Sequence, residues 1–208
     1  MTIDAVIFDI GNVLIEWQPE RFYDAEVGLE RRRAMFAEVD LHGMNDEVDR
    51  GGHFQTTVYA WAERYPDYRD EIRMWHDRWL ELATPRIEPS IAILRALRER
   101  GVPVYALSNF GIESFALAEE HFDFLSEFDR RFISGHMGVT KPDPAIYAMV
   151  EAETGLAPGR LLFVDDKPEN IAAAAARDWQ THLFDGPAGW AARLEAEGLL
   201  PQPERAAG

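Results

Sequence analysis

Chemically capable side chains recur in this 208-residue chain just where apolar runs stop. Asp9 follows the run at residues 3–8, Ser108-Asn109 follows 102–107, and Asp165-Asp166 follows 161–164. A lysine, Lys141, sits in Gly138-Val139-Thr140-Lys141-Pro142 ahead of a helical pattern. Carboxylates from separate segments present hard oxygen atoms of the kind a Mg²⁺ ion prefers. An activated carboxylate can also serve as a nucleophile. Lysine brings a fixed positive charge, and hydroxyl and amide groups donate hydrogen bonds to an anion. The chain has no cysteine, which excludes thiol nucleophiles, thiolate metal sites and disulfides.

These residues need a scaffold that brings them together. The runs at 3–8, 102–107, 131–133, 161–164 and 181–184 are short and mostly apolar, the pattern of strands buried on both faces of a parallel sheet. Helical spacing lies between most of them: Ile91, Leu94 and Leu97 before Gly101, and Ile146, Met149 and Val150 before Gly155. Ser90 and Asp143 stand near the starts of these helices as caps or first-turn anions, and Pro168 opens a third through the alanines at 172–176. Strands alternating with helices predict an α/β fold with a doubly wound parallel sheet. Such sheets bind ligands at the C-terminal strand ends, near a topological switch point, so the polar groups above are expected to meet in one crevice.

Residues 16–87 break the alternation. The strand signal vanishes and helical segments rich in aromatics take over, with Phe22, Phe36, Phe54, Tyr59, Trp61, Trp75 and Trp79. This is too long for an ordinary loop. The expected organisation is a core domain from 1–15 and 88–200, an all-helical cap at 16–87 lying over the strand ends, and a flexible tail at 201–208. Most of the cap aromatics are expected to form its own core. The stretch Trp190-Ala191-Ala192-Arg193-Leu194 is expected to pack back on the sheet.

The formal charge of −16 argues against nucleic acid, whose affinity for proteins comes largely from lysine and arginine on phosphates. No segment approaches the roughly 20 apolar residues of a membrane span, and residues 1–8 lack a basic leader, so a cytoplasmic protein with no membrane partner is expected. An aromatic cap is equally consistent with a monomer or a dimer.

Four motifs in order give the chain a resemblance to the haloacid dehalogenase superfamily of hydrolases: Phe8-Asp9-Ile10-Gly11-Asn12-Val13, Leu107-Ser108-Asn109, Lys141-Pro142 and Asp165-Asp166-Lys167-Pro168-Glu169-Asn170. The resemblance implies that Asp9 is the nucleophile, with Lys141 as its catalytic partner. It implies a Mg²⁺ cofactor held by Asp9, Asp165 and the Gly11 carbonyl. Gly11, Asn12, Ser108 and Asn109 would face a small phosphorylated substrate, and Asp166 and Asn170 would orient the metal's water shell or Lys141.

One departure matters. Phosphatases of this superfamily usually carry a second aspartate two residues after the nucleophile, and this chain has Gly11 there. A proton-transferring group is worth about 10²–10⁴-fold. A halide needs no proton to leave, so a 2-haloacid dehalogenase using Asp9 is the main alternative, followed by a non-catalytic phosphate-binding member. The acidic pair Asp165-Asp166 favours a metal and therefore phosphate. The string at 9–13 and the cap segment Glu47-Val48-Asp49-Arg50-Gly51 resemble the sugar-phosphate phosphatases, such as α-glucose-1-phosphate phosphatase, and the phosphatase domains of epoxide hydrolases. Substitute acids could come from the cap, where His42, Glu47, Asp49 and His53 are the candidates and His76 reads as structural.

Overall fold

A computed structural model describes residues 2–202. Five parallel strands, β1 (Ala5–Phe8), β2 (Val104–Ser108), β3 (Arg130–Ile133), β4 (Leu161–Asp165) and β5 (Gln180–Leu183), form one sheet in the order β3-β2-β1-β4-β5. The central strand β1 pairs on one side with β2, Phe8 opposite Ala106, and on the other with β4, Phe8 opposite Val164. The chain leaves β1 in one direction for β2 and β3, then returns to the other side for β4 and β5. The switch point therefore lies at the C-terminal end of β1, where Asp9 stands.

Alternation along β1 assigns its side chains to two cores. Val6 and Phe8 join one apolar cluster, while Ala5 and Ile7 join another with Phe163, Tyr147 and Trp179. Both faces are buried, which is why β1 and its neighbours β2 and β4 read as largely apolar runs.

Between β1 and β2 the chain forms seven helices: α1 (Pro19–Val27), α2 (Leu29–Glu38), α3 (Leu41–Asp49), α4 (Phe54–Arg64), α5 (Arg69–Asp77), the short α6 (Trp79–Leu82) and α7 (Glu88–Glu99). The last packs on the sheet through Ile91, Leu94 and Leu97. Then come α8 (Ile112–His121), the single turn α9 (Ser134–Met137), α10 (Pro144–Thr154), α11 (Pro168–Ala175) and α12 (Pro187–Ala196). No described helix is long and apolar enough to cross a membrane.

Aromatics of the inserted helices pack on one another, Tyr23 against Phe22, Phe36 and Trp75, and this core is continuous with that of the sheet side, Phe22, Met44, Phe54 and Trp75 sharing one cluster with Phe8, Val104 and Trp190. Two details differ from the sequence reading. Ser90 caps nothing, because α7 starts at Glu88 and turns Ser90 inward, where its hydroxyl is buried without a partner. Met149 is on the exposed side of α10, leaving Ile146 and Val150 to anchor that helix. Asp143 does cap α10, accepting from the Ala145 N–H at 2.8 Å, and Trp190 and Leu194 of α12 are buried against the sheet. Of the expected tail, residues 203–208 lie outside the described residues.

Candidate active site

Asp9 is fixed by the strand ladder it continues. Its N–H donates to Val164 O at 2.9 Å, so the main chain is still in β register when the side chain reaches the sheet edge. Three donors converge on its Oδ1: the Ile10 N–H at 2.8 Å, the Ser108 hydroxyl at 2.7 Å and the Lys141 ammonium at 2.9 Å. The other carboxylate oxygen carries none of them. Ser108, expected to face the substrate, is thus spent in this state on orienting Asp9.

Beyond Asp9 the chain folds back, with the Leu14 and Ile15 N–H groups donating to Ile10 O. The turn puts Asn12 at φ 55°, a left-handed conformation that asparagine tolerates better than most residues. Asn12 Nδ2 donates to Asp166 at 3.0 Å while its Oδ1 accepts from the Trp17 N–H at 3.0 Å. Its side chain therefore ties the loop after β1 to the end of β4.

Lys141 arrives from the loop before α10 and is buried among oxygens. Its ammonium contacts Asp165 at 2.6 Å, Asp9 at 2.9 Å and Leu107 O at 2.9 Å. Burial works against its charge most strongly, but Asp165 and Asp9 together outweigh it and hold the lysine above its usual range. Asn109 clamps the lysine's main chain, accepting from its N–H at 2.7 Å and donating to its carbonyl at 2.9 Å. Both ends of the Asn109 amide thus engage Lys141, and Asn109 lines the same cavity as Asp9 and Ser108.

The acidic pair divides its labour. Asp165 is fully buried, and both its oxygens are taken: Lys141 on one, the Lys167 N–H on the other, and Asn170 Nδ2 within 3.0 Å of each. Burial pushes this carboxyl up to about 6 against the pull of Lys141. Asp166 instead lines the cavity beside Asp9 and takes one hydrogen bond, from Asn12. Burial and the Asp9 charge raise it as well. Ligand oxygens of Asp9, Asp165 and Asp166 all lie within 4.8 Å of one another. Three clustered carboxylates against one ammonium suit a hard divalent cation. The two aspartates differ in their surroundings: Asp166 keeps an open oxygen, whereas Asp165, within the same carboxylate cluster, has both oxygens engaged, Lys141 and Asn170 among its donors.

The site opens into a cavity of ≈ 250 Å³. Asp9, Gly11, Asn12, Ser108, Lys141 and Asp166 lie at its sheet end. Trp17, Trp79 and Phe110 form an apolar side, with ring centres 6.0 Å apart for the two tryptophans and 5.3 Å for Trp79 and Phe110. The inserted helices contribute His42, Asn45, Asp46 and Asp49, all from α3. Of the cap candidates, Glu47, His53 and His76 point elsewhere: Glu47 is exposed, His53 caps α4 and lies near Glu113, and His76 sits against Asp77 and Phe54.

The end of α3 is seated tightly on the sheet. The Ser134 hydroxyl donates to Asp49 O at 2.6 Å and accepts from the Phe110 N–H at 2.9 Å. At Gly51, with φ +100°, an added Cβ would stand 2.8 Å from Gly135 O. Ser134 was missed in the sequence, although a polar residue following the run 131–133 obeys the rule that marked Ser108. Replacing Ser134 with alanine orphans a buried N–H and a buried carbonyl, and is expected to cost about 1–3 kcal/mol. Urea unfolding monitored by tryptophan fluorescence reads that loss.

Comparison with known proteins places this geometry. The chain is 28% identical over 192 residues to the sesquiterpene phosphatase astK of Aspergillus oryzae, covering 84% of this chain and 86% of that one. It is 26% identical to drimenol cyclase drtB of Aspergillus calidoustus over 88% of its own length, but spans only 34% of that larger protein. In fold it matches a HAD family enzyme from Bacteroides thetaiotaomicron solved with magnesium and inorganic phosphate, with a TM-score of 0.67, 21% identity, and coverage of 86% of this chain and 93% of that one. The family model for haloacid dehalogenase-like hydrolases matches residues 3–178, a span that takes in four of the five strands and all the inserted helices. The chain belongs to the haloacid dehalogenase-like hydrolases.

Proposed function

We propose that this hydrolase is a Mg²⁺-dependent phosphatase of small phosphomonoesters, sugar phosphates among the candidates, that works through a phosphoryl group carried on Asp9. The observation that carries the reading is the group of three carboxylates within 4.8 Å, next to a lysine that pairs with two of them. Displacement of halide from a neutral carbon needs no such anionic cluster. The name of the phosphatase relative and the magnesium and phosphate in the structural neighbour support the same choice.

Asp9, Asp166 and the Gly11 carbonyl would hold the ion. When bound, Mg²⁺ neutralises the phosphate charge that would otherwise repel an anionic nucleophile. The uncommitted oxygen of Asp9 attacks phosphorus while Ser108 and Lys141 fix the other oxygen, which sets the line of attack. Lys141, itself buried, also offers positive charge to the transferring group. Water then attacks the phosphorus of the aspartyl phosphate, releasing inorganic phosphate and regenerating Asp9. Asp165, Asn170 and Asn109 act through Lys141 by holding its ammonium and main chain in place.

Phosphate release from a panel of sugar and prenyl monophosphates tests this directly. Removal of metal by EDTA is expected to lower turnover by about 10³-fold, with recovery on adding Mg²⁺. Chloride release from 2-chloropropionate in EDTA, without phosphatase activity, would establish halide displacement instead.

A further inference from the structure

The phosphatase reading leaves the departing oxygen of the substrate without a proton donor, because Gly11 has no side chain to provide one. Three titratable side chains outside that mechanism reach the cavity from α3: His42, Asp46 and Asp49. His42 is largely exposed and only 3.9 Å from Glu20 in its nearest pairing, and Asp46 is exposed and faces Arg50 at 3.9 Å. Neither is held toward the reacting end. Asp49 is different: it is 7% exposed, it lines the cavity, and its surroundings fix it.

That fixing runs through two layers. Asn45, one turn earlier on α3, donates Nδ2 to Asp49 Oδ2 at 2.8 Å, and Asn45 Oδ1 accepts from Trp75 Nε1 at 3.0 Å. The indole N–H can only donate, so it dictates which end of the Asn45 amide faces Asp49. The main chain of Asp49 is anchored by Ser134, and Val48 lies so close to Gly111 that a Cβ on that glycine would stand 2.5 Å from Val48 Cγ1. No lysine or arginine among the described residues forms an ion pair with Asp49, since Arg50 turns to Asp46.

We propose that Asp49 is the catalytic acid and base of this enzyme, supplied by α3 in place of the side chain missing at Gly11. This rests on the phosphatase reading. As Asp9 attacks, the bond between phosphorus and the leaving oxygen breaks, and the Asp49 carboxyl gives its proton to that oxygen, releasing a neutral alcohol. The resulting Asp49 carboxylate takes a proton from the water that attacks the aspartyl phosphate. The phosphorus–Asp9 bond breaks, inorganic phosphate leaves, and Asp49 is again protonated. One water is consumed for each alcohol and phosphate released.

Charge in the cavity agrees with that duty. Burial, reinforced by Asp46, pushes the Asp49 carboxyl up to about 7, while Lys167, the Gly111 N–H and Arg50 favour its charged form. His42, Asp9, Lys141 and Asp166 line the same cavity. An acid that must start protonated and a base that must follow are both served by a value near the working pH. The first step on an alkyl phosphate should therefore weaken as pH rises above about 7.

The test compares Asp49→Asn with the unaltered protein on an alkyl phosphate and on p-nitrophenyl phosphate, whose leaving group needs no proton. Turnover of the alkyl phosphate is expected to fall about 10²–10⁴-fold. The first turnover of p-nitrophenyl phosphate should change less than about tenfold, giving a burst of nitrophenolate followed by slow release of phosphate from Asp9; burst amplitude also reports how much variant is folded. The fall in kcat/KM above pH 7 on the alkyl phosphate should be absent in the variant. Equal losses in the first turnover of both substrates, or an unchanged alkyl phosphate rate, would overturn the assignment. If the unaltered protein releases phosphate from neither substrate, the phosphatase reading itself fails and the assignment goes with it.

Discussion

Replacing Asp9 with asparagine is expected to lower phosphate release by about 10⁴-fold or more while leaving the protein folded. The amide is a poor nucleophile, and losing the attacking group of a covalent mechanism typically costs on that scale. Stability should not fall in step. The Asp9 charge is one of the influences that raise Asp165 and Asp166, so the three carboxylates repel one another in the absence of a cation. Removing one charge relieves that repulsion, and Lys141 keeps its 2.6 Å contact with Asp165. Parallel measurements of phosphate release and urea midpoint should show lost activity with an unchanged or higher midpoint. Loss of both together would mean that Asp9 matters for structure first.

Lys141→Met should do the opposite to stability. The lysine side chain is 1% exposed and is the ion-pair partner of both Asp9 and Asp165. Taking one partner from a buried pair strands the remaining charge, at a cost of about 3–5 kcal/mol. Turnover should also fall, by about 10³-fold, because the charge facing the transferring group is gone. The deficit in stability should depend on pH. Asp165 already sits at about 6 with the lysine present, above its ordinary value of 3.8, and removing the lysine moves it higher. A carboxyl whose folded value lies above its unfolded one costs stability as pH rises between the two, and costs nothing once both states are protonated. The variant should therefore be closer to the parent near pH 5 than near pH 8 in urea midpoint. A deficit of the same size at both pH values would show that Asp165 is not the stranded group.

The three inner strands of the sheet, β1, β2 and β4, were legible because they are buried on both faces and so are largely apolar; their ends then mark themselves by the first polar residue. Asp9, Ser108 and Asp165 all stand out in this way. The division between Asp165 and Asp166 was not legible. Successive residues at a strand end point to opposite sides, so two identical neighbours take different roles according to the phase of the pleat, and that phase is set by pairing with β1 rather than by local sequence. Asn109 escaped for a related reason: its partner is main chain 32 residues away. The cap's polar residues were visible as a set, but choosing Asp49 among them required knowing which turn of α3 meets Ser134 and Gly111. The spacing of Asn45 and Asp49 at one helical turn was readable, and it is the hydrogen bond found there. Ser90 misled because a serine near a helix start is equally at home on the buried face of the first turn.

The central claim is that phosphorus becomes bonded to Asp9 during turnover. The enzyme is mixed with Mg²⁺ and excess p-nitrophenyl phosphate, quenched in acid within the first turnover and reduced with borohydride, which converts an acyl phosphate to an alcohol. Peptide mass spectrometry should then find homoserine at position 9, in amounts that increase in Asp49→Asn and vanish when Mg²⁺ is withheld. Phosphate release at full rate with unmodified aspartate at position 9 at every quench time would contradict the account.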